Sequence, residues 1–315
     1  MIRIGVDVGG TGIQVGAVNE KSEIIAMDSI PTRTDLPFEE QVGQIADCVK
    51  RLMKPEANPL LTMENVASIG VGIPGLADEN GVVIKCTNLS WFNAPLREIF
   101  LKHIQKPFFV DNDANVAALA ESVAGVSAGT DSSVFITLGT GIGSGIILNG
   151  KIWKGFHNIG GELGHMILSL DGVPCSCGNH GCVERYCSAT ALIRMAREQV
   201  KNDPYSLILA LAEMDPQKIN ARIVVNAAKE NDPLAMDLFR KYVSALSQTI
   251  ANVVNFLDPE VIVLGGGVSK AGRFLLDAVR DEYPRYILFK GLPFPSVELA
   301  VLGAEAGIIG AAMLS

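Results

Sequence analysis

Three cysteines within eight positions are the most specific chemical signal in the sequence. Cys175, Cys177 and Cys182 follow the spacing C-x-C-x₄-C. In a reducing compartment such a cluster indicates metal binding rather than disulfides. Soft thiolates suit tetrahedral Zn²⁺, which takes four protein ligands in a closed structural site. Spacing alone leaves the fourth ligand open. The candidates are His165, His180 and Cys187.

Three glycine-rich turns each follow an apolar strand. They are Gly9-Gly10-Thr11, Gly139-Thr140-Gly141 and Gly265-Gly266-Gly267. Glycine lets backbone N–H groups approach a phosphate closely, and a threonine hydroxyl adds a donor. Any one of them is equally an ordinary tight turn, but three together predict a bound nucleotide. The chain has no G-x-x-x-x-G-K-[ST] loop, so the pattern disfavours a P-loop NTPase.

Two aspartates follow strands and are candidates for phosphoryl-transfer chemistry. Asp7 directly precedes the first glycine turn, where a carboxylate would hold Mg²⁺ against the nucleotide. Asp113 stands between a strand and a helix, where it would take a proton from a substrate hydroxyl. The plain alternatives are a turn-stabilising aspartate and a helix N-cap. Spacing does not choose Asp113 over Asp111.

Alternating strands and helices position these residues, which is typical of an α/β fold. Strands are predicted over 2–8, 13–19, 23–32, 66–73, 107–110, 133–138, 142–148, 261–264 and 297–301. Helices are predicted over 37–54, 114–123, 188–200, 223–256 with a break near residue 232, and 304–313. Residues 155–185 carry little regular pattern.

A repeated tetrapeptide indicates an internal duplication. Gly-Thr-Gly-Ile occurs at residues 10–13 and again at 139–142, each time between two strands. We therefore expect two similar domains with a ligand cleft between them.

Composition excludes several classes of protein. The chain has 315 residues, 48% of them hydrophobic and 19% charged, which fits neither a disordered nor a fibrous protein. The net charge of −8 and the lack of a basic cluster disfavour a nucleic-acid partner. No segment has the length or composition of a membrane span or a signal peptide, so we expect a cytoplasmic protein.

The motifs in this order resemble the ROK family, which comprises repressors, open reading frames and sugar kinases of the actin–hexokinase fold. The resemblance spans nearly the whole chain. It rests on the glycine turns and on residues 112–115 (Asn-Asp-Ala-Asn), 161–165 (Gly-Glu-x-Gly-His) and 175–184 (Cys-x-Cys-Gly-x-x-Gly-Cys-x-Glu).

The resemblance implies ATP-dependent phosphorylation of a hexose at its 6-hydroxyl, most simply glucose, with Asp113 as general base. It implies that Mg²⁺ and ATP bind at Asp7 and the three glycine turns, and that His165 is the fourth zinc ligand. The zinc loop, residues 155–187, would then fix one wall of the sugar pocket. The implied sugar-binding residues are Gly75, Thr87, Asn88, Asn112, Asp113, Glu162, His165 and Glu184.

The resemblance also implies the domain layout: two actin/hexokinase-like (ribonuclease H-like) domains around a central cleft. A smaller domain of residues 1–113 would be completed by residues 301–315. A larger domain of residues 114–300 would carry the zinc loop. It further suggests a homodimer or homotetramer.

One position departs from the family pattern. Many members have lysine where this chain has Gly12, so Lys21 or backbone amides would have to contact the phosphates. Cys187 lies outside the motif and is expected to be a free thiol.

Two alternatives stay open on the sequence. The substrate could instead be fructose, mannose or N-acetylmannosamine. The chain could also be a non-catalytic, sugar-responsive regulator. Family repressors have an N-terminal helix-turn-helix domain, whereas here the first strand starts at Ile2.

Overall fold

Short β-branched runs and longer amphipathic segments alternate along the chain and form the strands and helices of an α/β protein. The computed structural model describes residues 1–54 and 58–315. The strands are β1 (Ile2–Val8), β2 (Gly12–Val18), β3 (Ile24–Pro31), β4 (Val66–Ile73), β5 (Leu76–Ala77), β6 (Val83–Cys86), β7 (Trp91–Ala94), β8 (Phe108–Asn112), β9 (Ser132–Leu138), β10 (Ile142–Leu148), β11 (Lys151–Ile152), β12 (Val261–Gly265) and β13 (Ser296–Leu299).

The longer helices occur where apolar residues recur at helical spacing. They are α1 (Phe38–Leu52), α2 (Leu96–His103), α3 (Asp113–Ala124), α4 (Glu184–Cys187), α5 (Ala189–Gln199), α6 (Leu207–Leu211), α7 (Ala221–Lys229), α8 (Pro233–Leu257), α9 (Gly266–Ser269), α10 (Arg273–Glu282) and α11 (Ala306–Ala312). Short 3₁₀ turns occupy Met63–Asn65, Thr87–Leu89, Leu163–His165, Pro216–Lys218, Tyr283–Tyr286 and Gly303–Glu305. Within the described residues, no helix is both long and apolar enough to cross a bilayer.

The chain folds into two compact units. The first contains residues 1–131, 145–160 and 301–315, and the second contains residues 132–144 and 161–300. The domain boundaries predicted at residues 113 and 300 stay a prediction.

The sheet of the first unit has the strand order β3-β2-β1-β4-β8. β1 pairs antiparallel with β2 and parallel with β4, and β4 pairs parallel with β8. The carboxyl ends of β1, β4 and β8 therefore lie at one edge of the sheet, which is where open α/β folds place ligands. A smaller antiparallel sheet, β5-β6-β7, follows β4 in the chain.

Helix α11 lies directly on the sheet of the first unit, because glycines remove the side chains that would hold it away. A Cβ added to Gly5 of β1 would come within 1.9 Å of the carbonyl oxygen of Ile308. A Cβ on Gly70 of β4 would come within 1.8 Å of the carbonyl oxygen of Ala311. Helix α11 thus packs onto the core of the unit to which β1 belongs.

The second five-stranded sheet repeats the order of the first. Its order is β11-β10-β9-β12-β13, with β9, β12 and β13 parallel. Numbering the strands of each sheet along the chain gives the order 3-2-1-4-5 in both cases. This agrees with the duplication that the tetrapeptide repeat predicts.

Most predicted elements are confirmed to within a few residues. The helix predicted over 223–256 is two helices, α7 and α8, and the break lies where expected. Asp232 caps α8 by accepting a hydrogen bond from the backbone N–H of Ala235 at 2.8 Å, and Pro233 is its first residue. Sequence patterns missed β5, β6, β7, β11, α2, α4 and α6, which are short and depend on packing against distant residues.

Candidate active site

The carboxyl edge of the first sheet brings acidic residues together. Asp7 of β1 is in register with Gly72 of β4, and Gly72 is in register with Asp111 of β8. Asp113 follows two residues later as the first residue of α3. The edge therefore carries three carboxylates from two strands and the start of one helix.

Burial separates the roles of Asp111 and Asp113. The Asp111 side chain is only 6% exposed and forms an ion pair with Lys154, whose Nζ lies 2.6 Å from Oδ2. Asp113 is exposed to solvent. Of the two candidates that spacing could not separate, Asp113 is the one that a substrate can reach.

The N-cap of α3 is Asn112, and the alternative that Asp113 is the cap is wrong. Asn112 Oδ1 accepts hydrogen bonds from the backbone N–H groups of Ala114 at 2.8 Å and Asn115 at 3.4 Å. An asparagine in the extended conformation can satisfy the first helical donors in this way. Asp113 accepts a further bond from Ala114 at 2.9 Å and is not required as the cap.

Asp113 has the electrostatics of a base. Although solvent reaches it, dense surrounding protein desolvates the carboxyl and raises the pKa of Asp113 to about 6. The hydrogen bond from Ala114 acts in the opposite direction, and the negative charge of Asp7 adds to the rise. Burial also raises the pKa of Asp7. A carboxylate with such a pKa remains mostly ionised at neutral pH and accepts a proton more readily than an ordinary aspartate.

Gly307 of α11 leaves the space that the Asp7 carboxylate occupies. A Cβ at this position would lie 2.4 Å from Asp7 Oδ2. Among the described residues, Asp7 forms no ion pair with a lysine, arginine or histidine. A half-buried carboxylate without such a partner fits a divalent cation, since Mg²⁺ binds through one or two carboxylates with water and phosphate oxygens as its other ligands.

Two of the predicted sugar-side residues of the first unit, Asn112 and Gly75, are in contact with each other. The Nδ2 atom of Asn112 donates to the carbonyl oxygen of Gly75 at 3.2 Å. Thr87 and Asn88 are exposed in the 3₁₀ turn that follows Cys86. Burial raises the pKa of the Cys86 thiol, and the charge of Asp113 contributes to that rise. Gly75, Asn112 and the turn after Cys86 therefore lie near the Asp113 carboxylate.

The first glycine turn is closed at its base and open at its tip. The N–H of Gly9 donates to the carbonyl oxygen of Gly12 at 2.9 Å, and the Thr32 hydroxyl donates to the carbonyl oxygen of Gly9 at 2.6 Å. Gly10 and Thr11 are exposed between these anchors. The turn thus presents its tip to an anionic ligand.

The suggestion that Lys21 replaces the missing family lysine is wrong. Gly12 begins β2 beside the glycine turn, whereas Lys21 follows the end of β2 at Val18. Seven residues of strand span about 23 Å. Lys21 therefore lies at the far end of the hairpin from this turn.

The second glycine turn is also closed by a backbone hydrogen bond, but this bond spans three residues rather than four. The N–H of Gly139 donates to the carbonyl oxygen of Gly141 at 3.0 Å. The Thr190 hydroxyl donates to the carbonyl oxygen of Thr140 at 2.7 Å, which ties the turn to α5. The duplicated tetrapeptide therefore joins two neighbouring strands at both of its positions, although the hydrogen bonds that close the two turns differ.

The third glycine turn borders a hollow of about 310 Å³ in the second unit. Gly266 has a φ of +84°, and a Cβ there would lie 2.7 Å from the backbone nitrogen of Leu138, so only glycine fits. Sequence reasoning missed the α7 side of this hollow, since a helix face carries no motif. The lining residues are Ala221, Arg222, Val225, Asn226, Lys229, Gly267, Val268, Lys270 and Ala271.

The predicted metal ligands converge in the second unit. The ligand atoms of His165, Cys175, Cys177 and Cys182 all lie within 4.8 Å of one another. Cys177 Sγ is 3.6 Å from Cys182 Sγ, and Cys175 Sγ is 3.8 Å from His165 Nδ1. Zn–S bonds of about 2.3 Å place tetrahedral sulfurs about 3.8 Å apart, so the four side chains fit zinc.

The two other candidates for a fourth ligand lie outside this cluster. Among the residues that the structure describes, the group contains neither His180 nor Cys187. The Cys187 thiol is fully buried 3.8 Å from the Thr249 hydroxyl, and burial raises its pKa to about 12. Cys187 is a free thiol, as the sequence predicts.

Glu162 and Glu184 are each joined to the cysteine cluster by a short helical turn. Glu162 accepts a backbone hydrogen bond from His165 through its carbonyl oxygen at 3.0 Å. Glu184 begins α4 two residues after Cys182, and its Oε2 accepts a hydrogen bond from the N–H of Ile142 at 3.1 Å. The backbones of Glu162 and Glu184 are therefore continuous with the cysteine cluster through these short turns.

Comparison with known proteins gives one consistent result. The sequence model of the ROK family matches residues 3–315. Glucokinase from Thermotoga maritima is 36% identical over 313 residues, which cover 99% of this chain and 96% of that protein. The structure of a ROK family glucokinase from Streptomyces griseus, in complex with glucose and AMPPNP, is 33% identical, with a TM-score of 0.81 and coverage of 99% of this chain and 98% of that one. ROK hexokinase from Thermus thermophilus is 32% identical, with a TM-score of 0.85 and coverage of 99% and 97%.

Proposed function

The chain belongs to the ROK family, and we propose that it is a glucokinase, which transfers the terminal phosphoryl group of ATP to the 6-hydroxyl of glucose. The observation that carries this proposal is the Asp113 carboxylate. It is exposed, its pKa is raised to about 6, and it stands with Asp7 at the carboxyl edge of a sheet. Glycine turns suited to phosphates occur in the same chain.

Asp113 acts as the general base. Its ionised carboxylate accepts the proton of the 6-hydroxyl as the sugar oxygen bonds to phosphorus and the bond to ADP breaks. Phosphoryl transfer depends mainly on positioning and charge stabilisation, so one oriented base and a nucleotide site are sufficient machinery. Asn112 holds the first turn of α3 and hence the backbone of Asp113.

The nucleotide is bound by backbone amides and by Asp7. Backbone amides of the glycine turns bind phosphate groups, and the hollow beside Gly267 and α7 accepts the nucleoside. Asp7 would hold Mg²⁺, which would neutralise charge on the phosphates. The ATP-binding residues are Asp7, Gly9, Gly10, Thr11, Gly139, Thr140, Gly141, Gly265, Gly266 and Gly267.

The sugar hydroxyls are bound by polar side chains and backbone groups. Carboxylates and amides provide the hydrogen bonds that fix one hydroxyl in front of Asp113. The proposed sugar-binding residues are Gly75, Thr87, Asn88, Asn112, Asp113, Glu162, His165 and Glu184.

Zinc has a structural role in this proposal. Bound by His165, Cys175, Cys177 and Cys182, it would order the loop on which Glu162 and Glu184 depend. A reducing compartment such as the cytoplasm keeps the thiols available for the metal. A homodimer or homotetramer remains the expected assembly, and size-exclusion chromatography with light scattering measures it.

A panel of hexoses tests the proposal. We expect the purified protein with ATP and Mg²⁺ to release ADP fastest with glucose. Fructose, mannose and N-acetylmannosamine are the comparison sugars. A higher kcat/KM for one of these would replace glucose as the substrate. Sugar binding by calorimetry without ADP release from any sugar would instead indicate a regulator.

A further inference from the structure

Asp111 is a buried carboxylate next to the proposed base. It lies near the end of β8, two residues before Asp113. Its Oδ1 accepts hydrogen bonds from the backbone N–H of Asn112 at 2.8 Å and from Asn115 Nδ2 at 2.9 Å. Both donors belong to the turn from β8 into α3. Asp111 therefore holds the turn that carries Asp113.

The other oxygen of Asp111 depends on Lys154. Oδ2 has no hydrogen-bond partner among the described residues, and Lys154 Nζ lies 2.6 Å from it in an ion pair. The Asp111 side chain is 6% exposed, whereas that of Lys154 is 38% exposed. A buried carboxylate left without an opposite charge is strongly disfavoured, while a half-exposed ammonium can turn to water.

The backbone of Lys154 is itself fixed. Trp153 donates its N–H to the carbonyl oxygen of Ile146 at 2.8 Å, and the N–H of Gly160 donates to the carbonyl oxygen of Lys154 at 2.7 Å. These bonds close residues 155–159 into a loop with Lys154 at its base. The ammonium group is therefore presented to Asp111 from a defined support.

We propose that Lys154 is a positioning residue for phosphoryl transfer, which acts by neutralising Asp111 and so holding the turn that presents the Asp113 carboxylate to the sugar hydroxyl. The inference rests on the proposed function. A base displaced by a fraction of an ångström slows the chemical step more than it weakens binding. Loss of Lys154 should therefore lower kcat and leave both KM values close to those of the wild type.

Steady-state ADP release from glucose and ATP tests the inference with matched lysine variants. We expect Lys154→Met to lower kcat by about tenfold or more, with KM for each substrate within about twofold. Lys154→Arg keeps the positive charge and should retain kcat within about threefold. Lys151→Met, at an exposed position of the same hairpin, is the control and should match the wild type.

Variants at Asp111 distinguish the loss of the ion pair from a general destabilisation of the fold. Asp111→Asn should lower kcat less than Lys154→Met does. In Asp111→Asn the unpaired Lys154 ammonium is solvated, whereas in Lys154→Met the unpaired Asp111 carboxylate stays buried. The double variant Asp111→Asn/Lys154→Met has no buried charge to neutralise and should regain most of the lost kcat. It also carries the test if Lys154→Met does not fold.

Three results would overturn the inference: a Lys154→Met kcat within twofold of the wild type, a loss confined to KM, or a double variant no more active than Lys154→Met. The wild type in the same assay reports on the proposed function separately. A wild type inactive with every hexose overturns both, whereas an active wild type with unaffected variants overturns this inference alone.

Discussion

Two neighbouring aspartates of the same sequence motif have different environments. Asp111 is buried in an ion pair, and Asp113 is exposed with its pKa raised to about 6. Asn112 lies between them and caps α3, which places Asp113 on the first helical turn, whereas Asp111 belongs to β8 and pairs with Lys154. Sequence spacing could identify the pair but could not assign the roles, since burial of each carboxylate depends on distant segments.

Removing the carboxylate charge of Asp113 should separate catalysis from binding. We expect Asp113→Asn to lower kcat about 10²- to 10⁴-fold, because an amide cannot accept the hydroxyl proton. Glucose affinity measured by calorimetry should change little. Asp47→Asn, at an exposed position of α1, is the control and should have wild-type kcat. Turnover near the wild-type rate in Asp113→Asn would remove Asp113 from its assigned role.

The pH dependence of kcat/KM should report the same group. The base must be ionised, and desolvation together with the charge of Asp7 raises the pKa of Asp113 to about 6. Activity should therefore be full above about pH 7 and fall about tenfold per unit below pH 6. An unshifted aspartate would lose activity only near pH 4. A profile that stays flat down to pH 5 would contradict the assignment.

At the scale of the element, the zinc loop shows what sequence spacing can predict. Three cysteines within eight residues predicted a local cluster, and the structure gathers them with His165. Local spacing suffices for such a cluster because the ligands are near in the chain. By contrast, Lys154 meets Asp111 across more than forty residues of sequence, and no local pattern indicates that contact.

Zinc content should follow the four clustered ligands. We expect the wild type to contain about one zinc per chain and Cys177→Ser to contain far less, because a structural tetrahedral site needs all four ligands. Limited proteolysis should then cut within residues 166–182. Cys187→Ala is the matched control and should keep its zinc, since this thiol is buried beside Thr249. Zinc-free wild-type protein prepared without chelators would refute the site.

The C-terminal part of α3 depends on one buried carboxylate. Glu121 is fully buried, and it accepts backbone hydrogen bonds from Val126, Val301 and Leu302 at 2.9–3.0 Å. These bonds join α3 to the segment that leads into α11.

Truncating this side chain should destabilise the fold. We expect Glu121→Ala to lower the free energy of unfolding by about 2–4 kcal/mol, because three donors lose their acceptor. Urea denaturation measures the change. Glu198→Ala, in an exposed helical pair with Arg194, should change it by less than about 0.5 kcal/mol. Equal effects of the two variants would show that Glu121 has no special role.

At the scale of the whole molecule, the sequence predicted the α/β fold class and the internal duplication. The repeated tetrapeptide marks equivalent turns, and both sheets have the strand order 3-2-1-4-5. The sequence did not predict the small β5-β6-β7 sheet or the hollow beside α7. The short segments that form them depend on tertiary contacts rather than on a periodic pattern. Motifs predicted the ligand-binding residues, whereas the contacts that support them, such as that of Lys154 with Asp111, are visible only in the structure.

The packing of α11 against glycines of β1 and β4 also has a consequence for the synthesis of the protein. The faces of β1 and β4 at Gly5 and Gly70 are covered by residues 306–312. On the ribosome, the faces of β1 and β4 at these glycines therefore stay uncovered until residues 306–312 have been synthesised. Until then the two strands expose apolar surface of the kind that makes an incomplete chain prone to aggregation.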